Sequence, residues 1–355
     1  MSQQNITFNK IIDKSIKSDA SYLHLETGSM PIIRIGSKLA EIDGEALIDE
    51  SFLSQLVESF LSAPEKEKLE KDKSIVVVRS LEGNKRFRID IFYQKKTLAM
   101  VLKYIKPVIQ DLKKLGLSDE FIKLLHRREG LIVLSGKHGS GKTAMAVSIL
   151  EFINVNQSKY IVTLEKPIEY ILNPQKSIIE QREIGRDANT FEHAIKFAQD
   201  GDADIVFLSE ISTYQSLINL FKLISSGRLV IAIVEAQSVP ETLEQLVDLS
   251  PQAELEKSKQ MLADLLLGVT VKHLLPRRGG GQVDITEILI NLPPVSSLIK
   301  EGKYRQINNV MQTSRDEGMR TRDQSLIELV RTGEITYEDA FPIAMDKVSF
   351  QTVAK

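Results

Sequence analysis

Cysteine is absent from the 355-residue chain, which excludes disulfides, zinc knuckles and thiol chemistry and suits a reducing compartment. A surplus of positive charge is missing too. The 46 lysines and arginines face 48 aspartates and glutamates, for a formal net charge of -2, so bulk affinity for nucleic acid is not indicated. Long apolar runs are scarce: the greasy "MLADLLLGVTV" (261–271) is broken by Asp264 and is far shorter than a bilayer-spanning helix. The N-terminus joins no basic head to an apolar core, and no internal repeat or low-complexity tract is visible. A cytoplasmic protein is expected, touching a membrane at most through a partner.

What is present is the composition of an ordinary globular protein, 42% hydrophobic and 26% charged. One core seldom grows past roughly 250–300 residues, so two domains are expected. The first, 1–105, reads as a helix "FNKIIDKSIK", short strands "YLHLE" and "PIIRIG", a helix "SFLSQLVESFL", then strands "SIVVVRS", "KRFRIDIF" and "TLAMVLKYI". Strict alternation places Phe87, Ile89 and Ile91 on one face of a strand and Arg86, Arg88 and Asp90 on the other. This predicts a small α+β domain with a charged sheet face. The run "EKEKLEKDK" (65–73) mixes signs and reads as a solvated helix end. Around "KPVIQDLKKLGL" a proline and polar residues interrupt the pattern, and the linker is placed at 106–117. In 118–355, apolar strands such as "LIVLS", "YIVTLE", "DIVFLSE" and "RLVIAIVEA" alternate with helical stretches. That order predicts an α/β domain with a mainly parallel sheet covered on both sides.

The segment "LSGKHGSGKT" (134–143) stands between one of these strands and a helix. Glycines at Gly136, Gly139 and Gly141 allow backbone N–H groups to turn toward phosphate oxygens, and a helix beginning at Lys142 adds the positive end of its dipole. The candidate cradle comprises Gly136, Lys137, His138, Gly139, Ser140, Gly141, Lys142 and Thr143, with His138 a bystander at a variable position. Lys142 would neutralise the β- and γ-phosphates of ATP, and Thr143 would offer a hydroxyl to Mg²⁺. Hydrolysis also needs a held metal and a carboxylate on the attacking water. Glu210 ends the strand "ADIVFLSE" at the sheet edge where ligands bind in such folds. Its other reading is a strand-end glutamate facing water.

Taken in order, "GKHGSGKT", "VTLEKPIEYI", "EQREIGRD", "DADIVFLSE" and "SSGRLVIAIVEAQS" resemble the secretion and type IV pilus ATPases, in their retraction (PilT-like) branch. "SYLHLETGSMPIIRIG" and "RFRIDIFYQ" resemble that branch's N-terminal domain. "LIKEGKYRQI", "EGMRTRDQSL" and "GEITYEDA", with "LAMVLKYI", point toward its accessory (PilU-like) members. The resemblance covers essentially the whole chain. It implies a six-membered ring of subunits, each with a PAS-like N-terminal domain joined to a RecA-like P-loop motor. By the same resemblance Glu165 activates water, Glu210 supports Mg²⁺, and Arg34, Arg86 and Arg88 lie in segments that supply arginines to the nucleotide. For each arginine a surface charge or an inter-subunit ion pair stays open.

The chain departs from the family pattern at several positions. Lys166 replaces an aspartate beside Glu165, an arrangement in which an ammonium would lower the carboxylate's basicity. Ser209 stands for a glycine, and Ser212 and Thr213 for an Arg-Asp pair. Arg228 and Glu235 occupy two histidine positions, and Asp200 that of an arginine. Clustered at one site, these changes would weaken turnover while leaving nucleotide binding. The expectation is an ATP- and Mg²⁺-binding accessory motor subunit for pilus retraction, slow on its own. It would work with an active retraction paralogue, docked on the inner-membrane platform at the pilus base. A catalytically silent, regulatory paralogue is the alternative. A nucleic-acid translocase is disfavoured by the charge balance.

Overall fold

The computed structural model describes residues 3–353 except 37 and 108, without the side chains of 3–6, 82 and 353. Residue 108 of the expected linker lies outside that description. Two compact units result, Met1–Val108 and Ile109–Lys355.

The first unit begins with α1 (Gln3–Lys17), β1 (Tyr22–Glu26), β2 (Ile32–Ile35) and β3 (Lys38–Glu41). It continues through α2 (Glu50–Phe60), α3 (Ala63–Asp72), β4 (Ser74–Leu81), β5 (Lys85–Gln94) and β6 (Thr97–Ile105). Its antiparallel strands form one sheet in the order β3-β2-β1-β6-β5-β4, a PAS-like arrangement. Phe87, Ile89 and Ile91 enter a core with Phe8, Ile11, Phe52 and Leu53, as the alternation in β5 requires. Arg88 pairs across the other face with Lys103, a like-charge neighbour. Asp90, two residues along β5, offsets this with Oδ1 3.3 Å from Arg88 Nε. Within the solvated run, Glu65 does more than face water. It accepts the Ser62 N–H at 2.8 Å, capping α3, and meets Arg79 Nη2 of β4 at 2.6 Å.

In the second unit, α4 (Asp119–Leu124) precedes β7 (Gly130–Gly136), α5 (Lys142–Asn156), β8 (Tyr160–Glu165) and β9 (Ile178–Glu183). There follow α6 (Phe191–Asp200), β10 (Ile205–Leu208), α7 (Tyr214–Ser225), β11 (Leu229–Val234), α8 (Val239–Asp248) and α9 (Leu255–Leu265). The sheet runs β13-β12-β7-β11-β10-β8-β9, completed by β12 (Leu266–Pro276) and β13 (Gln282–Ile290). All neighbours are parallel except β12 and β13. Every residue of β7, β10 and β11 is buried, which is why these strands read as unbroken apolar runs. The run "MLADLLLGVTV" ends α9 and opens β12, so a helix–strand junction explains its density. Of the segment 109–117, Leu112, Leu115 and Leu117 pack into this unit's core, and Thr286 Oγ1 donates to the Leu115 carbonyl at 2.8 Å.

The chain closes with α10 (Pro293–Lys300), α11 (Ile307–Thr313), α12 (Arg322–Arg331), α13 (Tyr337–Ala340) and α14 (Lys347–Val353). Arg322 ties α12 to the sheet. Its Nε and Nη2 lie 2.8 and 2.7 Å from Oε1 of buried Glu287 in β13, and Nη2 also donates to the Gln237 carbonyl after β11. His273 Nε2 of β12 is 3.0 Å from the same carboxylate oxygen. Arg322→Ala removes the permanent cation from that buried carboxylate and should lower unfolding free energy by about 3–5 kcal/mol in urea titration. Changing both partners, Arg322→Met with Glu287→Gln, should recover most of the loss. A single variant as stable as its parent contradicts the role.

Candidate functional site

The glycine loop follows from what its neighbours allow. Gly136 ends β7 at φ 147°, and a Cβ there would overlap the Lys272 carbonyl and Ser140 Oγ. Gly141 caps α5 at φ 84°, a left-handed conformation that side chains resist. Lys137, His138 and Gly139 are exposed at the loop's crest, whereas Ser140 and Lys142 are buried. Lys142 begins α5, so its ammonium folds back under the loop. Nζ donates to the Gly136 carbonyl at 2.8 Å and the Lys137 carbonyl at 2.9 Å. Thr143, next on the helix, is half-buried. Ser140 Oγ is buried without a hydrogen-bond partner. A positive charge and a helix N-terminus thus meet beneath a glycine loop, an arrangement suited to an oxyanion.

Three carboxylates emerge at the same carboxyl edge of the parallel strands. Val234 pairs with Ser135 in register, so the next residue of that strand, Glu235, leaves the sheet beside Gly136. Its Oε1 is 3.3 Å from Lys142 Nζ and 3.8 Å from His138 Nδ1. Glu210 lies two residues beyond β10, half-buried, accepting from Ser212 Oγ at 3.3 Å. Glu165 ends β8 and is buried. Its Oε1 accepts from Thr163 Oγ1 at 2.6 Å and from Gln181 Nε2 of β9 at 3.1 Å. Burial outweighs those two hydrogen bonds, and Glu169 and Glu183 push the same way, so the Glu165 carboxyl is raised to about 7.

The family model described as "Type II/IV secretion system protein" matches residues 3–341. The chain belongs to that family. It is 28% identical to the type IV pilus ATPase PilU of Pseudomonas aeruginosa over 94% of this chain and 87% of that one. To the type IV pilus retraction ATPase PilT of the same organism it is 29% identical, over 92% and 94%. The crystal structure of the pilus retraction motor PilT with bound ADP superposes with a TM-score of 0.84 at 32% identity, covering 97% of this chain and 98% of that one.

The positions read from the sequence as departures from the family pattern divide between two edges of the sheet. Lys166, Ser209, Ser212, Thr213 and Glu235 follow the carboxyl ends of strands. Arg228 and Asp200 precede the amino ends of β11 and β10, where Arg228 Nη2 donates to the Gln199 and Gly201 carbonyls at 3.3 and 2.8 Å. A six-residue strand spans roughly 20 Å, so these two do not join the cluster that the sequence pattern suggested. Lys166 is also corrected. Its side chain is exposed and its N–H donates to Ser209 Oγ at 3.1 Å. The Glu165 shift runs opposite to what an adjoining ammonium would impose. Thr213 caps α7 and donates to Glu192 Oε1 at 2.7 Å, a structural task.

Arg34, Arg86 and Arg88 share one face of the first unit's sheet, Arg34 opposite Tyr22 on β1 and the other two on β5. Sequence reasoning missed Lys272. Its ammonium is buried against Gly141 and pairs with Asp284 Oδ1 at 3.0 Å, placing a second cation beneath the loop. A lone lysine inside the apolar strand "GVTVKHLL" was the available signal.

The Glu165 shift has a signed consequence. Between its ordinary value of 4.5 and about 7, the folded chain holds a proton that the unfolded chain has released, so stability falls as pH rises through that window. The parent should lose about 3 kcal/mol relative to Glu165→Gln across it, and nothing more above it. A stability difference that stays constant from pH 4 to 8 contradicts the assignment.

Proposed function

We propose that the chain is an ATP- and Mg²⁺-binding motor subunit of a type IV pilus retraction system. The observation that carries this is the Lys142 ammonium held beneath the glycine loop at the sheet edge where Glu165 and Glu210 emerge. Family membership and the names of the relatives supply the setting. Residues 118–355 act as the motor and 1–105 as the domain offering Arg34, Arg86 and Arg88 to nucleotide, joined by 106–117. Six copies form a ring that works beside an active retraction ATPase, peripheral to the inner membrane on a platform protein. No helix among the described residues is long and apolar enough to cross a membrane.

Thr143 and Glu210 would hold Mg²⁺ through oxygen donors of the type it prefers, and the ion would offset phosphate charge. In hydrolysis the water oxygen bonds to the terminal phosphorus, the bond from that phosphorus to the bridging oxygen breaks, and the water's proton passes to the Glu165 carboxylate. A base near 7 is about half ionised at neutrality and suits that transfer. Lys142 and the loop amides offset charge on the phosphates.

A silent, regulatory paralogue is the second reading, favoured by the Glu235 carboxylate on Lys142. Steady-state ATPase assays of the purified protein, alone and mixed with an active family member, separate the two. Slow turnover that rises with pH through about 7, is stimulated by the partner and is lost in Glu165→Gln at unchanged nucleotide affinity supports the motor. Turnover indistinguishable from the Glu165→Gln background in both settings supports the silent subunit.

A further inference from the structure

We propose that Glu235 sets which nucleotide this site prefers, favouring a nucleoside diphosphate over a triphosphate by holding a carboxylate where a terminal phosphate must approach. The proposal rests on the nucleotide reading of the loop and specifies it. Three observations converge. Glu235 Oε1 lies 3.3 Å from Lys142 Nζ, so the cation that a terminal phosphate needs already has an anionic partner. His138 Nδ1 at the loop's crest is 3.8 Å from the same oxygen, placing the carboxylate across the mouth of the cradle rather than behind it. The position is built in: β11 is in register with β7 up to Val234 and Ser135, Ala236 is buried, and Arg322 holds the Gln237 carbonyl. The Glu235 backbone is therefore tethered on both sides while its side chain is 65% exposed.

The other buried cation beneath the loop does not relieve the conflict, because Lys272 is neutralised by Asp284 at 3.0 Å. A diphosphate can place its β-phosphate against the loop amides, near the Lys142 charge, with the Glu235–Lys142 contact kept. A triphosphate brings a further anionic group into that contact, and either the carboxylate swings out to solvent or the two anions face each other. Like charges a few ångströms apart repel strongly in a partly desolvated site and less so in salt. Glu235 thus acts on the loop much as a competing anion would.

The test is calorimetric binding of ADP and of the non-hydrolysable analogue β,γ-imido-ATP, each with and without Mg²⁺, to the full chain, Glu235→Gln and Glu235→Asp. The parent should bind ADP the more tightly. Glu235→Gln, which keeps shape and loses charge, should tighten the triphosphate analogue by about tenfold relative to ADP, with the contrast shrinking at high salt. Glu235→Asp should retain the parent's preference. An analogue-to-ADP affinity ratio that stays within about twofold of the parent's in Glu235→Gln, while both ligands bind, overturns the selectivity and leaves the nucleotide reading standing. Absence of binding by either nucleotide to all three proteins overturns the nucleotide reading, and the selectivity with it.

Discussion

A lysine ammonium folded under a glycine loop must be answered by oxygen, because a buried charge without partners is costly. Here the answer comes from two loop carbonyls and from the carboxylate of Glu235. Much else at the site follows from that constraint. Gly136 lacks a Cβ because the Lys272 carbonyl and Ser140 Oγ fill the space, and the loop can close over Lys142 only on those terms. α5 must start at Lys142, so its dipole adds to the same charge.

The parallel sheet turns this local requirement into a site. Strands β7, β11, β10 and β8 end at one edge, and the residues at or just past those ends are the loop, Glu235, Glu210 and Glu165. The same geometry separates the positions that the sequence reading grouped together as departures from the family pattern. Those at the carboxyl edge stand beside the glycine loop and the three carboxylates, while Asp200 and Arg228 lie at the opposite edge, where Arg228 closes the end of α6 through its carbonyls. Glu165, by contrast, keeps the surroundings of a base. Thr163 and Gln181 orient it, and burial raises it. On the proposed motor reading, the site combines a buried carboxyl raised to about 7 with a phosphate loop whose lysine is already paired with Glu235.

Much of the fold was legible because its period was unmixed. β7, β10 and β11 are buried on both faces and read as apolar runs, and β5 alternates because one face is open. The glycine loop was legible because its spacing has a mechanical cause. Less visible was anything that depends on which strands lie side by side. Glu235 meets Lys142 across 93 residues of sequence, Lys272 meets Asp284 diagonally across a hairpin, and Arg228 belongs to the far edge. Lys166 misled for the same reason. Adjacency in sequence suggested a pair with Glu165, yet consecutive residues leaving a strand point to opposite sides, and only Glu165 turns inward.

The Lys142 charge is the centre of the proposed nucleotide site. Equilibrium binding of Mg-ADP to the parent chain and to Lys142→Ala measures that most directly. Removing the ammonium should weaken binding by about a hundredfold or more, the scale of a buried charge-assisted contact, with the fold intact by circular dichroism. Equal affinity in the two proteins would contradict it.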